Sequence, residues 1–161
     1  MAMMSEPEGL RIMEEVEMAE VRILLIENDD LLIADMVGFG QSEIVTESLS
    51  DAMTIEPISL AGRCDVLVIN IDLPGGFDLV GKVTRMRIGP PVIALASKGM
   101  PGHSLEHTLT LAELYGAGLT LPKPIDADEL TLAAMRLLAQ SRPLSPQMSA
   151  LADALERRLS T

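Results

Sequence analysis

Apolar residues along this chain gather in short runs separated by longer, more polar stretches. Four runs, at residues 21–26, 66–69, 92–96 and 119–121, are nearly continuous in apolar side chains. Runs of that length without polar alternation suit strands covered on both faces. The stretches between them are long enough for helices, predicted at residues 30–38, 51–61, 77–86, 104–115 and 127–140. A weaker strand is predicted over residues 43–47, where Ile44 has polar neighbours, as at a sheet edge. Strands alternating with helices in this way predict an α/β domain of βα units on a parallel sheet. Pro57 falls inside the second helical segment, where its ring and missing N–H oppose a regular helix, so that element is expected to be broken or kinked.

Two segments flank the repeats. Residues 1–20 carry Leu10, Met13 and Val16 among glutamates, a pattern open to either a short helix or an acidic tail. Beyond residue 140, Ser145 can cap a helix and Pro146 suits its first turn, with Met148, Leu151, Leu155 and Leu159 on one stripe. An amphipathic helix is predicted there, its apolar face turned to its own domain or to a partner. The division expected is thus a flanking segment 1–20, a domain at 21–140, and a linker plus C-terminal helix at 141–161.

Composition narrows the function classes. A chain of 161 residues fits one compact domain. Its apolar fraction is 48%, yet no run approaches the ~20 residues of a membrane span. The first residues are acidic and lack the apolar segment of a signal peptide, so a cytoplasmic protein without membrane attachment is expected. A formal charge of −12, with Phe39, Phe77 and Tyr115 as the only aromatics, argues against nucleic acid as a partner. Cys64 is the single cysteine; no intrachain disulfide can form, and its place beside an apolar strand suggests a buried small hydrophobe.

Three stretches together resemble the response-regulator receiver (CheY-like) family of two-component signalling. Ile23-Leu24-Leu25-Ile26-Glu27-Asn28-Asp29 is similar to the family's opening strand and acidic pair. Asp65-Val66-Leu67-Val68-Ile69-Asn70-Ile71-Asp72-Leu73-Pro74-Gly75 resembles the strand that bears the phosphoacceptor and the loop after it. Pro91-Val92-Ile93-Ala94-Leu95-Ala96-Ser97 and Gly116-Ala117-Gly118-Leu119-Thr120-Leu121-Pro122-Lys123-Pro124 resemble the fourth and fifth strands. The resemblance covers about residues 21–140. It implies a flavodoxin-like (βα)5 doubly wound fold, a five-stranded parallel sheet in the order 2-1-3-4-5 with an extra C-terminal helix, and a site at the carboxyl ends of the strands.

That site is degenerate on the same comparison. Phosphoryl transfer needs a carboxylate nucleophile, a hard cation held by carboxylates, and donors that neutralise the moving phosphoryl group. Asn70 stands at the phosphoacceptor position, where a neutral amide offers no anionic oxygen. Asn28 replaces one of the two acidic metal ligands and leaves Glu27 alone. One formal negative charge remains where the family usually holds three, so no metal and no cofactor are expected. Ala96 occupies the position of a phosphate-contacting hydroxyl. Ser97 is its neighbour, but a one-residue slip would turn that side chain to the opposite face. Thr120 occupies the position of the switching aromatic. Lys123, one of three lysines, matches the family's lysine, and the resemblance implies a cis peptide between it and Pro124.

The resemblance therefore implies a pseudo-receiver, a single-domain atypical response regulator that is not an enzyme, with no output domain following. It would act in two-component or phosphorelay signalling by phosphorylation-independent contacts with a histidine kinase, a phosphotransfer protein or another regulator, with a homodimer as a further possibility. The fourth and fifth elements and the C-terminal helix are the candidate surfaces. Two other readings stay open. One is a phosphorylatable receiver using a shifted aspartate, Asp72, Asp29 or Asp30, with Mg2+, for which Glu27 and Asp29 would be weak metal candidates. The other is a scaffold or small-ligand sensor using the vacated pocket. His103-Ser104-Leu105-Glu106-His107 spells a metalloprotease pattern, but without a third ligand context it reads as a solvated helix face. The loop at 98–102 before it is longer than receivers commonly have, which suits a tuned protein interface.

Overall fold

The computed structural model describes residues 19–160, so the predicted tail or helix of the N-terminal segment lies, up to residue 18, outside the described residues. Five strands form one sheet: β1 (Val21–Ile26), β2 (Ile44–Leu49), β3 (Val66–Asn70), β4 (Val92–Ala96) and β5 (Leu119–Pro122). Their order is β2-β1-β3-β4-β5 and every neighbouring pair is parallel, the order implied by the resemblance. Four helices lie among and after the strands, α1 (Asp30–Val37), α2 (Gly76–Thr84), α3 (Leu105–Leu114) and α4 (Ala127–Ala139), and a fifth, α5 (Pro146–Leu159), follows.

Alternation along the central strands sends side chains to two cores. Val21, Ile23, Leu25, Val66, Val68, Ile93 and Leu95 face α1 and α4. Leu24, Ile26, Leu67, Ile69, Ala94 and Ala96 face α2, α3 and Leu60. All five residues of β3 and all five of β4 are buried, which explains why Asn70 is the one polar residue among them. β2 lies at one edge, as its weaker pattern predicts, and buries only Ile44 and Thr46.

The helix predicted over residues 51–61 is not there. That stretch holds a single 3-10 turn, Pro57–Leu60, with Pro57 in its first turn. Two local features account for the loss. Asp51 Oδ1 accepts a hydrogen bond from the Met53 N–H at 2.8 Å, an alternative to helical pairing. Pro57 then removes a donor and forces its predecessor towards extended backbone, and Glu56 has ψ 117°. Leu60, fully buried, anchors the segment to the α2 side of the sheet.

The C-terminal helix forms as predicted, capped by Ser145 Oγ on the Met148 N–H at 3.1 Å. Its stripe turns to its own domain: Met148 and Leu155 are completely buried in the α4 core, Leu151 packs beside them, and Leu159 stays exposed at the far end. Ion pairs from Arg136 to Glu156 and from Arg158 to Asp128 lie along the α4–α5 seam. The apolar face of this helix is thus largely spent inside the fold.

Cys64 sits just before β3 among buried apolar neighbours. Burial pushes its thiol up to about 11, and the adjacent Asp65 carboxylate adds to the rise. Alkylation of the folded protein at about pH 8 is therefore expected to be slower than that of the unfolded chain by roughly a hundredfold or more, since the thiolate is the nucleophile. Mass spectrometry of iodoacetamide-treated samples with and without denaturant checks this; equal rates would contradict a buried thiol.

Candidate functional site

The carboxyl ends of the strands bring the site together. Glu27 follows β1 and extends its ladder, its N–H donating to the Leu49 carbonyl at 3.0 Å. Asn70 closes β3, Ala96 closes β4, and Lys123 follows β5 with its N–H on the Ala96 carbonyl at 2.8 Å. Backbone pairing therefore fixes all four positions before any side chain is considered. Behind Asn70 the chain turns tightly through Leu73 and Gly76. A Cβ on Gly76 would lie 2.6 Å from the Asn70 carbonyl oxygen, so only glycine allows α2 to begin this close to the site.

Glu27 is the centre of the arrangement and is completely buried. A carboxylate there must be paired and hydrogen-bonded to stay charged. One oxygen, Oε1, accepts from the Asn28 N–H at 2.9 Å, the Asp29 N–H at 3.3 Å and the Asn70 side-chain amide at 2.7 Å. The other, Oε2, accepts from Lys123 Nζ at 2.9 Å, and the lysine side chain is only 12% exposed. Asp29 lies 3.6 Å from the same Nζ through Oδ2, while its Oδ1 caps α1 on the Leu31 and Leu32 N–H groups. The peptide bond between Lys123 and Pro124 is cis.

Asn70 is engaged at both ends of its amide. Its Nδ2 donates to Glu27 and its Oδ1 accepts from the Asp72 N–H at 2.9 Å. Glu27, Asn70 and Lys123 thus form a hydrogen-bonded group, with the Asp29 carboxylate at its edge on the same ammonium.

The remaining candidates sit around this group. Asn28 contributes its backbone N–H and is otherwise exposed. Ala96 is buried and offers only its carbonyl, to Lys123. Thr120 donates to Glu113 of α3 at 2.9 Å and so belongs to the β5–α3 contact. Asp30 opens α1 and is exposed.

Asp72 and Ser97 form a pair that sequence reasoning did not foresee. Asp72 Oδ2 accepts from the Ser97 N–H at 2.7 Å, the Ser97 hydroxyl at 2.8 Å and the Lys98 N–H at 3.3 Å. The signal for it was register: Asn70 pairs with Leu95, so two residues on, Asp72 comes opposite Ser97. Among the described residues no group of three His, Cys, Asp or Glu side chains is placed to hold a metal ion, and no helix is long and apolar enough to cross a membrane.

The five-stranded parallel sheet in this order is the flavodoxin-like (βα)5 fold, and it matches the fold of solved response-regulator receiver domains. The chain is similar to a two-component response regulator from Clostridium difficile, with a TM-score of 0.61 at 17% identity over 76% of this chain and 98% of that one. It is similar to the receiver domain of the Francisella response regulator 1452 with a TM-score of 0.60 at 24% identity, covering 76% of this chain and 99% of that one. It also resembles the HemR receiver domain from Leptospira biflexa, with a TM-score of 0.59 at 23% identity, covering 78% and 99% of the two chains. In sequence it is 28% identical over 128 residues to the transcriptional regulatory protein TcrA of Mycobacterium tuberculosis, a match spanning 77% of this chain. The chain spans about half the length of the curated relatives it matches, 48% in each case. No family model matches the sequence.

Proposed function

We propose that this protein is a pseudo-receiver of two-component or phosphorelay signalling, acting through protein contacts that do not depend on its own phosphorylation. The observation that carries the reading is the state of the phosphoacceptor position. Asn70 cannot attack phosphorus, and its amide donates to the one buried carboxylate, which Lys123 already neutralises. A receiver switches when a phosphoryl group and a divalent ion reorganise such a cluster; here the cluster is satisfied by the chain's own groups. Control would then come from abundance or from competition among partners. The partner chemistry that fits best is that of the signalling chain itself, namely a histidine kinase, a phosphotransfer protein or another regulator. Asp29, Asp30 and Asp72 offer no close substitute for the missing nucleophile: the first caps α1 and pairs with Lys123, the second is a solvated first-turn residue, and the third is held in the Ser97 contact.

An amide NMR titration of the full chain with Mg2+ and beryllofluoride tests this reading. The expected result is an unchanged spectrum. Saturable shifts around Glu27, Asn70 and Lys123 would reinstate a working phosphosite, and shifts centred on Asp72 and Ser97 would favour a displaced one.

A further inference from the structure

The two histidines, which the site at the strand ends does not use, meet at the start of α3. We infer that His103 and His107 form a two-imidazole clip for a late first-row divalent ion such as Cu2+, Ni2+ or Zn2+. Their Nδ1 atoms lie 3.1 Å apart and the rings meet edge to face with centroids 4.6 Å apart. Metal–imidazole bonds of about 2.0–2.1 Å would let nitrogens 3.1 Å apart subtend about 100° at one ion, between a square or octahedral cis angle and a tetrahedral one. The existing contact requires one ring to donate its Nδ1–H to the other. A metal ion would take the place of that shared proton after small ring rotations.

The backbone holds both residues ready. The His103 N–H donates to the Met100 carbonyl at 2.8 Å, and the Met100 N–H donates to Thr108 Oγ1 at 2.8 Å. The His107 N–H donates to the capping Ser104 Oγ at 3.0 Å. Neither imidazole therefore hangs from an untethered loop. Two nitrogen donors select Cu2+, Ni2+ or Zn2+ over Mg2+ or Ca2+, which prefer oxygen. With no third ligating side chain beside them among the described residues, the remaining coordination positions are left to water or to a donor from another molecule. This is neither a closed structural zinc site nor a hydrolytic one. The positive end of α3 works against a cation and the chain's charge of −12 works for it, which fits exchangeable rather than permanent binding.

Calorimetric titration of the full chain with CuCl2, NiCl2 or MgCl2 at about pH 7.5 tests the clip, alongside His103→Gln, His107→Gln and Glu106→Gln. Both rings are exposed, so the variants are expected to keep the native amide spectrum. One equivalent of Cu2+ or Ni2+ should bind saturably, Mg2+ should not, and each histidine variant should weaken binding by at least roughly tenfold, as loss of a metal-site group does. Glu106→Gln should change little, because its carboxylate is not one of the two proposed ligands. No saturable binding, or binding kept in both histidine variants, would overturn the proposal; the latter would put the ligands elsewhere in the chain.

Discussion

Replacing Lys123 by methionine is expected to cost about 3 kcal/mol of folding stability at neutral pH, the lower end of the range for breaking a buried ion pair. The lower end applies because Glu27 keeps three other donors, the Asn28 and Asp29 N–H groups and the Asn70 amide. What it loses is its counter-ion, 2.9 Å away, at a position with no access to water. Adding Glu27→Gln to the lysine variant should recover most of the loss, because a neutral group tolerates burial without a counter-ion. Urea unfolding of the four proteins of this cycle measures it; additive effects of the two substitutions would show that the pair is not coupled.

Converting Asn70 to aspartate is expected to destabilise the protein in the absence of metal and to make it respond to Mg2+. The substitution removes the amide donor 2.7 Å from Glu27 and puts a second carboxylate against a buried one. A loss of about 2–4 kcal/mol is expected, seen as a fall in Tm of roughly 5–15 °C. Mg2+ should then raise the Tm of the variant by binding between the two carboxylates, and leave the wild type unchanged. Differential scanning calorimetry with and without Mg2+ gives the comparison. A wild-type Tm that rises with Mg2+ would mean that the closed cluster opens readily, and the pseudo-receiver reading would fail with it.

Much of this fold was legible because buried parallel strands write themselves as unbroken apolar runs. β1, β3 and β4 bury nearly every residue, and the sequence over 21–26, 66–70 and 92–96 has almost no polar interruption. β5 was read from its short apolar run as well, although it lies at the sheet edge with Leu119, Thr120 and Leu121 only partly buried and Pro122 exposed. The stretch before Leu60 misled because its length suits a helix, while Asp51 and Pro57 each satisfy or delete the local donors a helix would use. At the site, the identities of Glu27, Asn70 and Lys123 could be read from the resemblance, but not which groups they bond. The Asn70–Glu27 contact joins residues 43 positions apart and the Lys123–Glu27 contact joins residues 96 apart. Only the packed sheet decides that these side chains satisfy one another. The use of α5 was open in sequence for a similar reason, since an apolar stripe states that it must be covered and not by what.

The start of α5 is also tied to the residue that precedes β1. Glu20 accepts from the Ser145 N–H through Oε2 at 3.2 Å, and its carbonyl accepts from Arg142 Nη2 at 2.8 Å. With Met148 and Leu155 seated in the core beneath, the first strand and the last helix close on each other like the two sides of a clasp, between residues 125 positions apart. Loosening the start of α5 would therefore also loosen the lead into β1, the strand on which both β2 and β3 are laid, and the amides around Met148 are expected to exchange slowly.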